Sequence, residues 1–238
     1  MLHLLISYLK MLLVIPILKL IDIIATKIFI YFKKVEPPPS YRWFFVHAVV
    51  NWIVTFLAVP DIMFCLNNVS ECGTNLWIYG DILSIIATSL HFYHMIYYKL
   101  TSTDYLHHIT SAIMTTPIIL LFNRTSAEIM SLWFVCGLPG AIDYTLLCLV
   151  KMGLMDSNLE KKIYVYLSMW IRGPGCIAST VMHIGMAQVW HTFSLIQKIC
   201  ISWNLLVIYW NGIYFAQLTL GDYYKKLYQR LPISNVPI

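Results

Sequence analysis

The sequence is poor in charge: Asp, Glu, Lys and Arg make up 11% of its 238 residues, under half the share of an average soluble domain. A water-facing globule of this length would lack its usual surface, and the mean hydropathy of +0.71 points to lipid as the solvent. No basic run is present either. The 16 Lys and Arg residues stand singly or in pairs between apolar stretches, which leaves no footprint for nucleic acid. No CxxC pair occurs among the six cysteines; Cys65, Cys136, Cys148, Cys176 and Cys200 fall in or beside apolar runs and only Cys72 sits in a loop. That placement argues against a disulfide framework or a zinc ribbon. The opening MLHLLISYLKMLLVIPILKL is followed by no small-residue cleavage site, so it reads as a span or an interfacial helix.

What is there is apolar sequence in blocks. Seven stretches, roughly 11–32, 43–66, 77–98, 105–122, 127–150, 163–190 and 199–220, are bounded by charge, Pro or Asn, and a crossing helix needs about 20 such residues. The expected fold is all-α, a multi-pass transmembrane helical bundle of six to seven spans. Lys19, Asp22 and Lys27 interrupt the first stretch, which spans the membrane or lies in its interface. Pro37, Pro38 and Pro39 form a stiff linker. The chain thus divides into an N-terminal helix and linker (1–40), a transmembrane domain (41–230) and a short tail (231–238).

Charge sets the orientation. With seven alternating spans, Lys33, Lys34, Arg42, Lys99, Lys151, Lys161, Lys162, Lys225, Lys226 and Arg230 share one side, against mainly Lys10, Arg124 and Lys198 on the other. The positive-inside rule makes the crowded side, and the C-terminus, cytosolic. The sequon at Asn68 then lies in a lumenal loop, compatible with glycosylation, and the one at Asn123 is lumenal but hugs a span. No GxxxG face signals an oligomer.

Ionisable groups at the centre of a span cost about 2.5–3.5 kcal/mol each and therefore mark function. His91 and His94 stand three apart on one helical face, and Asp104, His107 and His108 follow across a short turn in TDYLHHITS. Asp143 lies in GLPGAIDYTLL and Arg172 in WIRGPGC. At ~1.5 Å per residue from the charged ends, His91, Asp143 and Arg172 reach similar depths in the cytosolic half, with Arg172 placed to pair with Asp143. The Gly and Pro residues of GLPG and RGPG kink or break their spans. Plainer roles suffice elsewhere: His47 and His183 as packing histidines, Asp81 as a helix N-terminal acid, and Trp43, Tyr97, Tyr98, Trp190, Tyr223 and Tyr224 as interfacial anchors.

Adjacent histidines beside an acid suit general-base or nucleophilic work in acyl transfer. HxxH at 91–94 and DxxHH at 104–108 also look like the histidine boxes of membrane di-iron oxidases. Of eight histidines, however, His3, His47 and His191 lie outside any box. That count falls short, and no resident metal or cofactor is expected.

RWFFVHAVV, YGDILSIIATSLHFYHMIYYKL and TDYLHHITSAIM, with the Gly80-Asp81 pair and Asp104 ahead of His107-His108, resemble the TLC domain of translocon-associated TRAM proteins, ceramide synthases and small lipid-related membrane proteins. The likeness covers about 41–230. It implies a helical barrel with a lipid-sized cavity in the endoplasmic reticulum or a related membrane. In ceramide synthases the double histidine opens a longer signature. Here Phe134 and Val135 stand where its His-Asp would fall, the nearby acid is Asp143, and Asn123 and Arg124 are adjacent instead of spaced, which brings the chain nearer the small TLC proteins. The resemblance implies a protein that handles a membrane lipid, with His107, His108 and Asp143 as catalytic residues and His91, His94, Asp104 and Arg172 binding or tuning. If it is an enzyme, fatty-acyl transfer with acyl-CoA as co-substrate is the implied chemistry. The alternatives are a non-enzymatic regulator of membrane composition or protein handling, and a histidine-box lipid oxidase.

Overall fold

The computed structural model describes residues 2–79 and 81–228. Gly80, Arg230 and the tail 231–238 lie outside the described residues. Seven helical rods follow in order: α1 (Leu2–Lys33), α2 (Pro39–Asn67), α3 (Ile82–Tyr97), α4 (Ser102–Phe122), α5 (Ser126–Lys151), α6 (157–182) and α7 (Leu195–Tyr228). The fold is an all-α bundle. Among the described residues the one β-type contact is an isolated pairing of Leu76 with Thr125. Five helices, α1, α2, α4, α5 and α7, are long and apolar enough to cross a membrane. That count fits an integral membrane protein.

Local chemistry sets the ends. Lys34 takes a left-handed φ of 59° and returns its amide to the Ile30 carbonyl at 2.8 Å, closing α1 before the prolines. Pro39 opens α2, where its missing N–H costs nothing. α6 begins earlier than its apolar stretch because the Asp156 carboxylate caps the amides of Asn158 and Leu159. After Met182 the chain tightens into 3₁₀ turns over His183–Gln188, so the sixth rod stops short of 190.

Packing explains how α1 tolerates its charges. Its buried residues, Ser7, Met11, Leu18, Asp22, Ala25 and Phe29, recur at helical spacing as one stripe, while Leu5, Leu9, Leu13, Ile17 and Leu20 are exposed. Asp22, which interrupts the hydropathy, faces inward. Its carboxylate accepts from Arg42 Nε and Nη2 at 2.6 Å each and from the Tyr93 hydroxyl at 2.6 Å, tying α1 to α2 and α3.

One expectation needs correction here and another needs extending. Cys65 and Cys72 form a disulfide; the apolar run holding Cys65 ends within its own helix, and the turn at 68–72 brings Cys72 back against it. Asp81 does stand at the N-terminus of α3, as expected, but its side chain makes no capping hydrogen bond and has a larger role. It pairs with Arg124 Nη2 at 2.9 Å and His3 Nε2 at 2.8 Å, and accepts from Ser7 Oγ at 3.2 Å. It clamps α1 and the α4–α5 turn to the start of α3.

α5 and α6 approach so closely that a Cβ at Gly175 would land on the Phe134 ring. Overfilling such a contact costs about 1–3 kcal/mol. Gly175→Ala is expected to lower the thermal midpoint accordingly, and an unchanged midpoint would mean that Phe134 has room to move.

Candidate functional site

The histidines are positioned by short-range rules. Spacing of three on α3 turns His91 and His94 toward the same neighbour. That neighbour is α4, whose first turn is fixed by a capping box. The Thr101 hydroxyl accepts from the Asp104 amide at 3.2 Å, and the Asp104 carboxylate accepts from the Thr101 amide at 2.8 Å and hydroxyl at 2.7 Å. Asp104 therefore holds the turn that presents His107 and His108. His91 Nε2 lies 3.1 Å from His107 Nε2, and His94 Nδ1 lies 2.9 Å from His108 Nε2. One ring nitrogen from each of His91, His107 and His108 falls within 4.8 Å of the others.

Three rods widen beside this cluster. Residues 109–115 of α4, 133–137 of α5 and 168–172 of α6 form π turns, each followed two residues later by proline: Pro117, Pro139 and Pro174. A proline removes one helical hydrogen bond and clashes with the preceding turn. The wide turn absorbs that clash while the rod continues, a device frequent at functional sites. The π turn of α6 ends on Arg172, which is 8% exposed. Its Nη1 donates to the Tyr164 hydroxyl at 3.0 Å and its Nη2 to Asn211 Oδ1 at 2.9 Å, with the guanidinium 4.6 Å from the centre of the Phe215 ring.

The expected pairing of Arg172 with Asp143 is absent among the described residues. Arg172 spends its donors on Tyr164 and Asn211, whereas Asp143 is buried beside Glu160 with one carboxylate oxygen unpartnered. Both nonetheless line one cavity of about 80 Å³, together with His91, His94, His107, His108 and Asp104. At roughly 10–15 Å³ per water this holds a handful of waters or a small polar group, too little for a whole acyl chain.

Sequence reasoning missed the α2 wall of this cavity. Trp43, assigned to the interface, stacks on His94 with ring centres 4.5 Å apart and planes at 18°. His47, assigned to packing, donates from Nδ1 to the Trp43 carbonyl at 2.8 Å and sets its ring 4.7 Å from Tyr144 and 5.6 Å from His94. The available signal was the spacing of four in Trp43, His47 and Asn51, a polar stripe on one face of an apolar helix. Asn51 in turn sits against Gly140, where a Cβ would come within 2.5 Å of its amide. That close approach seats α2 against α5.

A second cavity of about 80 Å³ adjoins the first and shares Ala87, His91 and Val135 with it. Ile119, Leu132, Val207 and Ile208 give it apolar walls, and Glu128 and Asn204 stand at its edge. Glu128 is 4% exposed and accepts from Asn123 Nδ2 at 2.9 Å and Asn204 Nδ2 at 2.7 Å, with His183 Nε2 at 3.6 Å. His183, a buried packing histidine as expected, is satisfied within a polar knot that joins the ends of α4 and α6 to α5 and α7. Asn123 is fully buried in the knot, which leaves no room for a glycan; Asn68 is half-buried and donates to the Phe64 carbonyl at 3.1 Å.

No protein-family model, no curated protein and no solved structure matches this chain. What it does is read from this geometry.

Proposed function

We propose that the chain is a multi-pass membrane protein of TLC type that holds a membrane lipid, with the lipid's polar group in the histidine-lined cavity and the start of an acyl chain in the apolar cavity beside it. The observation that carries this reading is that the two cavities lie side by side, with Ala87, His91 and Val135 lining both. A lipid needs a polar pocket and an apolar one in contact, and small-molecule sites are mostly apolar with a few convergent polar groups. All seven rods cross the membrane in this reading, with the cluster toward the cytosol. The Cys65–Cys72 disulfide supports that orientation, because it lies at the opposite end of α2 from Arg42, and disulfides persist in oxidising compartments such as the endoplasmic reticulum lumen.

His107 and His108, with Asp143 in the same cavity, are the groups for acyl transfer from acyl-CoA to that lipid. His91, His94 and Arg172 bind or orient its polar end, and Asp104 acts through the turn it caps. Lipid mass spectrometry on the purified protein tests the reading. Wild type is expected to carry a specific lipid or acyl adduct that His107→Ala/His108→Ala lacks. Val135→Phe, which adds bulk where both cavities are lined and changes no histidine, is expected to reduce bound lipid about tenfold, the equivalent of 1.4 kcal/mol. Equal lipid in all three proteins, each monodisperse, would sink the site and leave a non-enzymatic bundle whose histidines are structural.

A further inference from the structure

The hydrogen bonds of the histidine cluster do not close on themselves. His91 Nδ1 lies 2.7 Å from the Ala87 carbonyl. A carbonyl can only accept, so Nδ1 carries the proton and Nε2 of the neutral ring offers a lone pair that only a donor or a metal can engage. That lone pair points at His107 Nε2, 3.1 Å away. His108 engages His94 through Nε2 at 2.9 Å, which leaves its Nδ1 buried without a partner, in a side chain 2% exposed. An unpaired buried polar atom costs about 1–3 kcal/mol. Protein groups near the cluster do not relieve it: the Asp104 carboxylate is held by Thr101, and Arg172 by Tyr164 and Asn211.

We propose that His91, His107 and His108 together bind one divalent cation of the zinc class, through His91 Nε2, His107 Nε2 and His108 Nδ1. Zinc–imidazole bonds of about 2.0–2.1 Å place tetrahedral nitrogens roughly 3.3 Å apart. One pair already stands at 3.1 Å, and all three residues have a ligand atom within 4.8 Å of the others. The outer partners match those of metal-bound histidines, whose second nitrogen is normally fixed by a carbonyl or another acceptor. Ala87 supplies the carbonyl for His91, and His94, itself stacked on Trp43, receives His108. An all-imidazole set selects zinc or cobalt over magnesium and calcium, which require oxygen ligands. Three ligands leave a fourth position open toward the polar cavity.

Sequence counting argued against metal because histidine boxes need more histidines; a single three-histidine ion does not. The inference concerns the same cavity as the lipid reading and replaces the acyl-transfer roles of His107 and His108 given there, since a ring nitrogen bound to the ion has no lone pair left to act as base or nucleophile; lipid binding and metal binding can each fail alone. The full chain is purified in detergent, stripped with chelator and titrated with Zn²⁺ and Co²⁺. One ion per chain is expected, with the intense visible bands of tetrahedral Co²⁺. His107→Ala, His108→Ala and the bulk-retaining His107→Phe are expected to weaken binding about 100-fold or more. Exposed His191→Ala is expected to change nothing. X-ray absorption on the zinc-loaded wild type requires no variant and is expected to give three imidazole nitrogens at about 2.0–2.1 Å. Binding well below one ion per chain, equal affinity in the cluster variants, or a metal shell without imidazole would overturn the metal site. Lipid retained by metal-free protein would leave the lipid reading standing, and metal bound without lipid would sink that reading alone.

Discussion

Asp22→Ala is expected to destabilise the protein by about 3 kcal/mol, toward the lower end of the 3–5 kcal/mol for breaking a buried charge pair. The carboxylate is fully buried and receives both the Nε and Nη2 of Arg42 at 2.6 Å, the fork geometry that makes Arg–carboxylate pairs strong. Removing it also strips the Tyr93 hydroxyl of its acceptor at 2.6 Å. Arg42 retains 31% side-chain exposure, so water recovers part of its solvation and holds the loss below the upper bound. In a chain of this size each kcal/mol moves the midpoint by about 2–4 °C, so a fall of roughly 6–12 °C is expected. Lys19→Ala is the contrast. Its ammonium sits 3.3 Å from the same carboxylate but is 37% exposed, and such pairs are worth at most about 1 kcal/mol. A drop for Asp22→Ala no greater than that of Tyr93→Phe would show that Arg42 rehydrates fully and that the pair does not anchor α1.

Asp22 also illustrates what the sequence conveyed. On hydropathy it is a flaw in the first apolar stretch, and the amphipathic reading of that stretch followed from it. Only the fold reveals that residues 20 and 71 positions away supply its partners. The helical rods themselves were legible, because the apolar blocks and their charged boundaries are local. So was the meeting of His91 and His94 with His107 and His108, since a short turn forces neighbouring helices together and both pairs lie near it. The α2 wall was not legible. His47 approaches His94 because Asn51 packs on Gly140, a contact between residues 89 positions apart that no spacing announces. The same holds for Arg172. Its depth matched that of Asp143, but depth says nothing of direction, and the π turn before Pro174 aims it at Tyr164 and Asn211 instead. The disulfide was hidden by the assumption that a cysteine in an apolar run stays inside its helix, although Cys65 lies just two residues from the end of α2.

Glu128→Ala is expected to have the largest effect of any single change, about 3–5 kcal/mol, read as loss of midpoint and of monodispersity in detergent. One carboxylate oxygen takes the amides of Asn123 and Asn204 at 2.9 and 2.7 Å, and His183 stands 3.6 Å away. All four side chains are buried. Deleting the acceptor strands the Asn204 amide, at about 1–3 kcal/mol, leaves the Asn123 amide only His183 Nε2 at 3.3 Å, and opens a gap where the acid packed. Glu128→Gln keeps an oxygen that can stand at the position of Oε2 and accept from both amides, in nearly the same shape; its loss is expected to be well below that of Glu128→Ala. Because the knot joins α4, α5, α6 and α7, its members act as a unit. A double-mutant cycle between Glu128→Ala and Asn204→Ala is expected to give a coupling within the usual 0.5–3 kcal/mol for contacting residues. Additive losses would mean that the two side chains are bound independently. The knot also stands at the edge of the apolar cavity, the other side of which meets His91. If the start of an acyl chain occupies that cavity, added lipid should raise the midpoint of wild type more than that of Glu128→Gln, since a ligand stabilises only the state that binds it.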